Sequence, residues 1–182
     1  MKKIAIFIKK NFEEIEAITT IDILRRGGIE VELISMESEL NVKGSHDIEI
    51  VTDKFINEFD QNSYEGIIIP GGPAVNDLFD NKTLLKIIND FNDEEKMVAA
   101  ICAAPQLLGQ AGIVKGYRVV NYPGCDMYLA SAEQVSQIPA LTHKNIITGA
   151  GPGSTIPFAL EIVKYLTNEE NFKEVKEKLV IL

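Results

Sequence analysis

The chain has 182 residues, 46% of them hydrophobic, enough for one domain with a sizeable core. Its net charge of −9 argues against nucleic acid or an anionic membrane surface as a main partner. The two cysteines, Cys102 and Cys125, are too few for a disulfide framework, and their spacing to His46 and His143 does not read as a zinc site.

The apolar run Ile4 to Ile8 ends at Lys9-Lys10, shorter than the roughly 7–15 residues of a secretory core. It reads as a first strand, residues 3–8, and the expectation is a reduced, cytoplasmic protein without a membrane-spanning segment. Asn11 and Glu14 have capping-box spacing and predict a helix to about Arg26, ended by Gly27-Gly28. Residues 30–36 alternate as a second strand, and residues 48–51 form a short apolar strand after the Gly44-Ser45 turn. Ile67-Ile68-Ile69 is a buried strand broken by Gly71-Gly72-Pro73. Leu84, Leu85, Ile88 and Phe91 follow helical spacing.

Met97-Val98-Ala99-Ala100-Ile101 reads as a strand, and Leu107, Leu108 and Ala111 as the helix after it. Cys102 stands between them, and Pro105 suits the first helical turn. A thiol at such a turn lies near a helix N-terminus, whose partial positive charge favours thiolate. The small neighbours suit a nucleophile elbow. A small buried thiol at a strand end is the equally open alternative. Residues 118–120 and 145–148 predict further strands, and Phe158, Ala159, Ile162, Val163 and Leu166 a helix opened by Ser154 or Thr155. Residues 169–178 form a short charged last helix, and residues 121–139 have little periodicity. Alternating strands and helices, with no linker or repeat, predict a single α/β domain over residues 1–182 with a mostly parallel sheet covered on both faces.

Ligands of such a sheet bind beyond the carboxyl ends of its strands. The loop 9–12, Gly71-Gly72 and Cys102 all fall there. Residues on a helix advance about 100° each, so Glu16, Thr20 and Ile23 share a face. Glu16 then becomes a partly buried carboxyl that needs a partner or a proton, and a protonated Glu beside a thiolate satisfies both. A solvated glutamate in the first turns is the alternative. The N–H groups at Gly72 and Ala103 are candidate oxyanion donors; a plain turn after a buried strand is the alternative for Gly71-Gly72-Pro73. Gly71-Gly72-Pro73-Ala74 matches neither a dinucleotide fingerprint nor a P-loop. Gly151-Pro152-Gly153-Ser154-Thr155 reads as a turn and cap, Cys125 as a passive loop thiol, and His46 and His143 as structural or surface residues.

Glu13-Glu14-Ile15-Glu16, the run from Thr20 to Ile29, Pro70-Gly71-Gly72, Ala99-Ala100-Ile101-Cys102-Ala103-Ala104-Pro105 and Gly151-Pro152-Gly153 together resemble the ThiJ/PfpI superfamily. The resemblance covers nearly the whole chain. It is closest to the YajL-like branch that includes the human Parkinson-disease-associated protein deglycase. It implies a flavodoxin-like (Rossmann-like) three-layer α/β sandwich that forms a homodimer. It further implies that Cys102 is the reactive, oxidisable cysteine, that Glu16 is the carboxyl hydrogen-bonded to it, and that Gly72 and Ala103 supply the oxyanion donors.

The activity implied is cysteine-dependent detoxification of reactive dicarbonyls, as a glyoxalase or protein deglycase acting on small dicarbonyls or glycated proteins, with no metal or organic cofactor. The alternative is a redox-sensing or chaperone protein whose Cys102 is oxidised under stress. Two departures count against a protease or a glutamine amidotransferase. Ala103 stands where protease-like branches place a His, and His143-Lys144-Asn145 lacks the amidotransferase Glu. Tyr122 aligns with a nearby His of the human protein. No sequence-evident His therefore activates Cys102, and its thiolate would rest on the helix N-terminus and Glu16.

Overall fold

A computed structural model describes residues 2–181. Among the described residues eleven strands occur in chain order: β1 (Lys3–Ile8), β2 (Glu30–Ser35), β3 (Asn41–Lys43), β4 (Glu49–Val51), β5 (Lys54–Phe55), β6 (Gly66–Ile69), β7 (Met97–Ile101), β8 (Arg118–Val119), β9 (Glu133–Gln134), β10 (Ala140–His143) and β11 (Ile146–Gly149). The α-helices are α1 (Glu14–Arg26), α2 (Lys82–Asp93), α3 (Pro105–Gln110), α4 (Thr155–Leu166) and α5 (Glu169–Lys178).

Seven strands form one sheet in the order β10-β11-β7-β6-β1-β2-β5. All neighbours are parallel except β10, which runs antiparallel along β11. Successive side chains of β1 point to opposite faces. Ile4, Ile6 and Ile8 enter one core with Ala17 and Leu24 of α1 and Phe158 and Val163 of α4. Ala5 and Phe7 enter the other with Leu84 and Ile88 of α2 and Leu107 of α3. Burial on both faces explains why the central strands are nearly continuous in Ile, Val and Ala. The result is the flavodoxin-like three-layer sandwich that the sequence predicts.

Local expectations need four corrections. The first helix is capped not by Asn11 but by Glu13, whose carboxylate accepts the Glu16 N–H at 2.7 Å. Asn11 instead takes a left-handed turn (φ 68°). Its N–H bonds to the Lys43 carbonyl and its own carbonyl to the Ala74 N–H. Second, residues 48–51 do not join the main sheet: β4 pairs antiparallel with β3 in a separate hairpin. Third, β8 pairs with β9 apart from the main sheet. Fourth, an edge strand that the sequence does not predict, β10, follows directly after the stretch that lacks periodicity. A strand that is exposed on one side has no apolar run to announce it.

Candidate active site

The carboxyl ends of β1, β6 and β7 bring three loops together. Glu13 N–H donates to the Gly71 carbonyl at 3.1 Å, joining the β1 loop to the β6 loop. Cys102 follows β7 directly, and its N–H donates to the Gly149 carbonyl of β11 at 2.9 Å. Its φ is 65°, a left-handed conformation that costs a non-glycine residue about 1–2 kcal/mol. Three bonds hold the turn: the one to Gly149, Ala104 N–H to the Ile101 carbonyl at 3.1 Å, and Tyr122 N–H to the Cys102 carbonyl at 2.8 Å. A strained, over-determined residue at a strand end is how an elbow presents a nucleophile.

Cys102 is 8% exposed and Glu16 is 1% exposed. Glu16 Oε2 accepts the Gly71 N–H at 2.7 Å. Its Oε1 makes no close hydrogen bond, and the polar group that faces the carboxyl is the Cys102 thiol. Gly71 lies between the two: a Cβ there would stand 2.6 Å from Cys102 Cβ and 2.8 Å from Glu16 Oε2. The backbone N–H groups of Gly72 and Ala103 lie near enough to the Cys102 sulfur to favour its charged form, without a close hydrogen bond to it. The four residues singled out in the sequence therefore meet at one point. Glu16 is fully rather than partly buried.

Burial raises the Glu16 carboxyl from an ordinary 4.5 to about 7, with the Gly71 N–H and the Cys102 thiol pulling down and Glu13 pushing up. Burial also pushes the Cys102 thiol up, an ionised Glu16 adds to that, and the Gly72 and Ala103 N–H groups oppose it. Near neutral pH the carboxyl is therefore poised between its two forms beside a thiol that burial keeps protonated. With a proton on Glu16 the repulsion disappears and the carboxyl donates toward sulfur. The helix contributes less than the sequence suggests, because α3 spans only six residues and begins at Pro105. What favours a thiolate against that burial is the pair of nearby N–H groups and a protonated Glu16.

A stability consequence follows from linkage. Glu16 binds a proton in the folded state between pH 4.5 and about 7, where the unfolded chain does not. Stability is expected to fall as pH rises through that window and to level off above it, by up to about 3 kcal/mol from this group. Urea titrations at pH 5 and 8 on the wild type and Glu16→Gln check it. The pH-dependent difference between the two proteins should appear in that window, and its absence would remove the raised carboxyl.

His46 lies closer to the site than the sequence indicates. Its backbone N–H and Nδ1 bond to the Glu14 carboxylate, the latter at 2.9 Å, and Ser45 Oγ adds 3.1 Å. This clasps the β3–β4 hairpin onto the start of α1. Burial works against the Glu14 carboxylate, but the bonds from His46 outweigh it and hold it below its usual range. Glu13, Glu14 and His46 bring ligand atoms within 4.8 Å of one another. Glu13 is engaged as the cap and Glu14 in the clasp, and a helix N-terminus disfavours a cation, so the cluster reads as structural. His143 stacks on Tyr117, and its Nδ1 accepts the Arg118 N–H, a structural role as expected. Cys125 is a half-buried loop thiol. Tyr122 is exposed and borders the elbow through its N–H to Cys102. Gln106, which sequence reasoning passed over, is buried beside the elbow.

A family model described as the DJ-1/PfpI family matches residues 2–165. The chain is 32% identical over 182 residues to protein DJ-1 homolog B of Arabidopsis thaliana, which covers 99% of this chain and 42% of the relative. It therefore spans less than half the length of that relative. The crystal structure of Drosophila melanogaster DJ-1beta superposes with a TM-score of 0.94 at 28% identity, covering 100% of this chain and 98% of that one. The oxidized form of Toxoplasma gondii DJ-1 gives 0.91 at 33% identity, covering 99% and 98%. With the motifs, the elbow and the whole-chain superposition in agreement, this chain belongs to the DJ-1/PfpI family.

Proposed function

We propose that this protein removes reactive dicarbonyls through Cys102, as a glyoxalase-type or deglycase-type enzyme. The observation that carries this reading is the pairing of a strained, buried cysteine with a carboxyl poised near pH 7 and two N–H donors on the sulfur side. The thiolate attacks the aldehyde carbon of a 2-oxoaldehyde. A C–S bond forms, the carbonyl electron pair moves to oxygen, and the Gly72 and Ala103 N–H groups receive that charge. Glu16 gives its proton to the oxygen and becomes a carboxylate. That carboxylate then takes the proton from the former aldehyde carbon and returns it to the adjacent one, while the hydroxyl proton passes to the former ketone oxygen, leaving a thioester that water cleaves to a 2-hydroxy acid and the free thiol. A group near the operating pH can serve as both acid and base. Steady-state loss of methylglyoxal, compared with Cys102→Ser, is the test. Equal rates in the two proteins would end the reading.

A second reading has its own support. The same two N–H groups and a protonated carboxyl suit an oxidised sulfur, so Cys102 also fits a redox sensor that stops at the sulfenic or sulfinic stage. The oxidized Toxoplasma gondii relative has this fold. Under either reading Cys102 is expected to alkylate faster than Cys125, because the strained elbow and the Gly72 and Ala103 N–H groups act on its sulfur, against a burial that raises both thiols. Peptide mass spectra after brief iodoacetamide exposure at pH 6 check this, and faster labelling of Cys125 would count against both readings.

We also propose a homodimer. Ile15 and Ile18 are exposed on α1, and Ile48 and Val51 on the hairpin that His46 clasps to it. A second copy would cover this apolar surface. Light scattering of the wild type and of Ile18→Lys tests it, and a wild-type monomer would refute it. No helix among the described residues is long and apolar enough to cross a membrane. A cytoplasmic location, with small dicarbonyls or glycated proteins as substrates, completes the proposal.

A further inference from the structure

The loop from Tyr122 to Met127 grips the turn of Cys102 at two consecutive peptide units. The first grip is the Tyr122 N–H on the Cys102 carbonyl, at 2.8 Å. That carbonyl belongs to the same planar trans unit as the Ala103 N–H, which points the opposite way. Holding the oxygen therefore aims the N–H that faces the sulfur. The second grip passes through a side chain. Gln106 Nε2 donates to the Ala103 carbonyl at 3.1 Å, and Gln106 Oε1 accepts the Met127 N–H at 3.1 Å.

A polar side chain bonding three residues back is ordinary at a helix start. The other half of this carboxamide is not local, since Met127 lies 21 residues away. Gln106 is 6% exposed, so water does not replace either bond cheaply. The loop itself is stiffened by Cys125 N–H to the Tyr122 carbonyl at 2.9 Å, and by Asn121 Nδ2 on the Tyr122 and Cys125 carbonyls at 3.0 and 2.9 Å.

We propose that Gln106 is a positioning residue of the active site: its carboxamide ties the loop 122–127 to the elbow, which keeps the Tyr122 N–H on the Cys102 carbonyl and so aims the Ala103 N–H toward the sulfur and the oxyanion of the substrate. The inference rests on the reading of Cys102 as the reactive group. It makes the loop, with Tyr122 and Met127 exposed on it, the route by which the remote part of a substrate reaches the reacting centre.

Gln106→Leu and Gln106→Glu test it, with three readouts: the pH midpoint of Cys102 alkylation by iodoacetamide, kcat and KM for methylglyoxal, and the melting temperature. Gln106→Leu loses both bonds. It is expected to raise the alkylation midpoint and to lower kcat about tenfold with KM changed less than threefold. Gln106→Glu sets an ionised oxygen against the Ala103 carbonyl at neutral pH and should match the Leu variant there. On protonation its O–H donates to Ala103 and its carbonyl accepts from Met127, so its rate relative to wild type should recover as pH falls. The ionisable neighbours, Asp126 in the loop and Glu16 and Cys102 at the elbow, are common to both proteins and divide out of that ratio.

A lowered melting temperature with an unchanged alkylation midpoint would overturn the proposal. So would an acid-pH ratio for Gln106→Glu that does not recover, which also decides the case if the Leu variant fails to fold. A shifted midpoint in a protein that does not turn over methylglyoxal would support the positioning role and reject the dicarbonyl reading, which keeps the two separable.

Discussion

Replacing Glu16 by glutamine is expected to lower dicarbonyl turnover about 10²-fold or more, the scale of a lost general acid–base. Glutamine keeps an oxygen for the Gly71 N–H, which bonds to Glu16 at 2.7 Å. Its amide can still donate toward the thiolate. What it cannot do is release a proton to the oxyanion and then remove one from carbon. Glu16→Leu is a poorer probe, because it orphans the buried Gly71 N–H at a cost of about 1–3 kcal/mol. The melting temperature of Glu16→Gln at pH 7 should stay within a few degrees of wild type, and Cys102 should still react with iodoacetamide. Turnover and melting measured on one preparation decide it. Unchanged turnover would remove Glu16 from the chemistry, whereas lost turnover with intact peroxide oxidation of Cys102 would show that the two proposed roles use the same thiol but need different partners.

Replacing Gly72 by alanine is expected to destabilise the fold by about 3 kcal/mol or more. Gly72 has φ 94° and ψ 176°, a region essentially reserved for glycine. A Cβ there would stand 2.6 Å from the Glu13 nitrogen and 2.7 Å from the Asn11 carbonyl oxygen. Both atoms are backbone, so neither can turn aside. Relief requires the β1 and β6 loops to separate, which breaks the Glu13–Gly71 bond and moves the donor away from the sulfur. Urea unfolding measures the loss, and methylglyoxal turnover should fall with it. A Gly72→Ala protein within 1 kcal/mol of wild type would show that this turn tolerates the strain, and that its glycine is not what lets the loops close on Cys102.

Much of the layout is legible without coordinates. The continuous apolar runs at residues 4–8, 67–69 and 97–101 demand burial on both faces, and that alone implies a parallel sheet under helices. Cys102 at a strand end, Gly71-Gly72 at another and Glu16 on a helix face with Ile23 follow from the same periodicities. Residues 121–139 were opaque because the loop carries its order in backbone bonds, such as Tyr122 to Cys102, that leave no mark on residue pattern. Asn11 misled as a cap because capping chemistry is shared by several polar residues, and the left-handed turn at Asn11 moved the helix start to Glu13.

The sequence by itself determined the fold class and, through the family resemblance, pointed to the four residues of the candidate site, because strand-end position and turn chemistry are local properties of residue type and spacing. The tertiary structure alone decided the protonation chemistry. Full burial drives both Glu16 and Cys102 toward their neutral forms, an ionised Glu16 pushes the thiol further the same way, and only the Gly72 and Ala103 N–H groups oppose it. Desolvation and the aim of a backbone N–H depend on what other segments pack against a residue, and Gln106 and His46 gained their roles in the same way, from loops far along the chain.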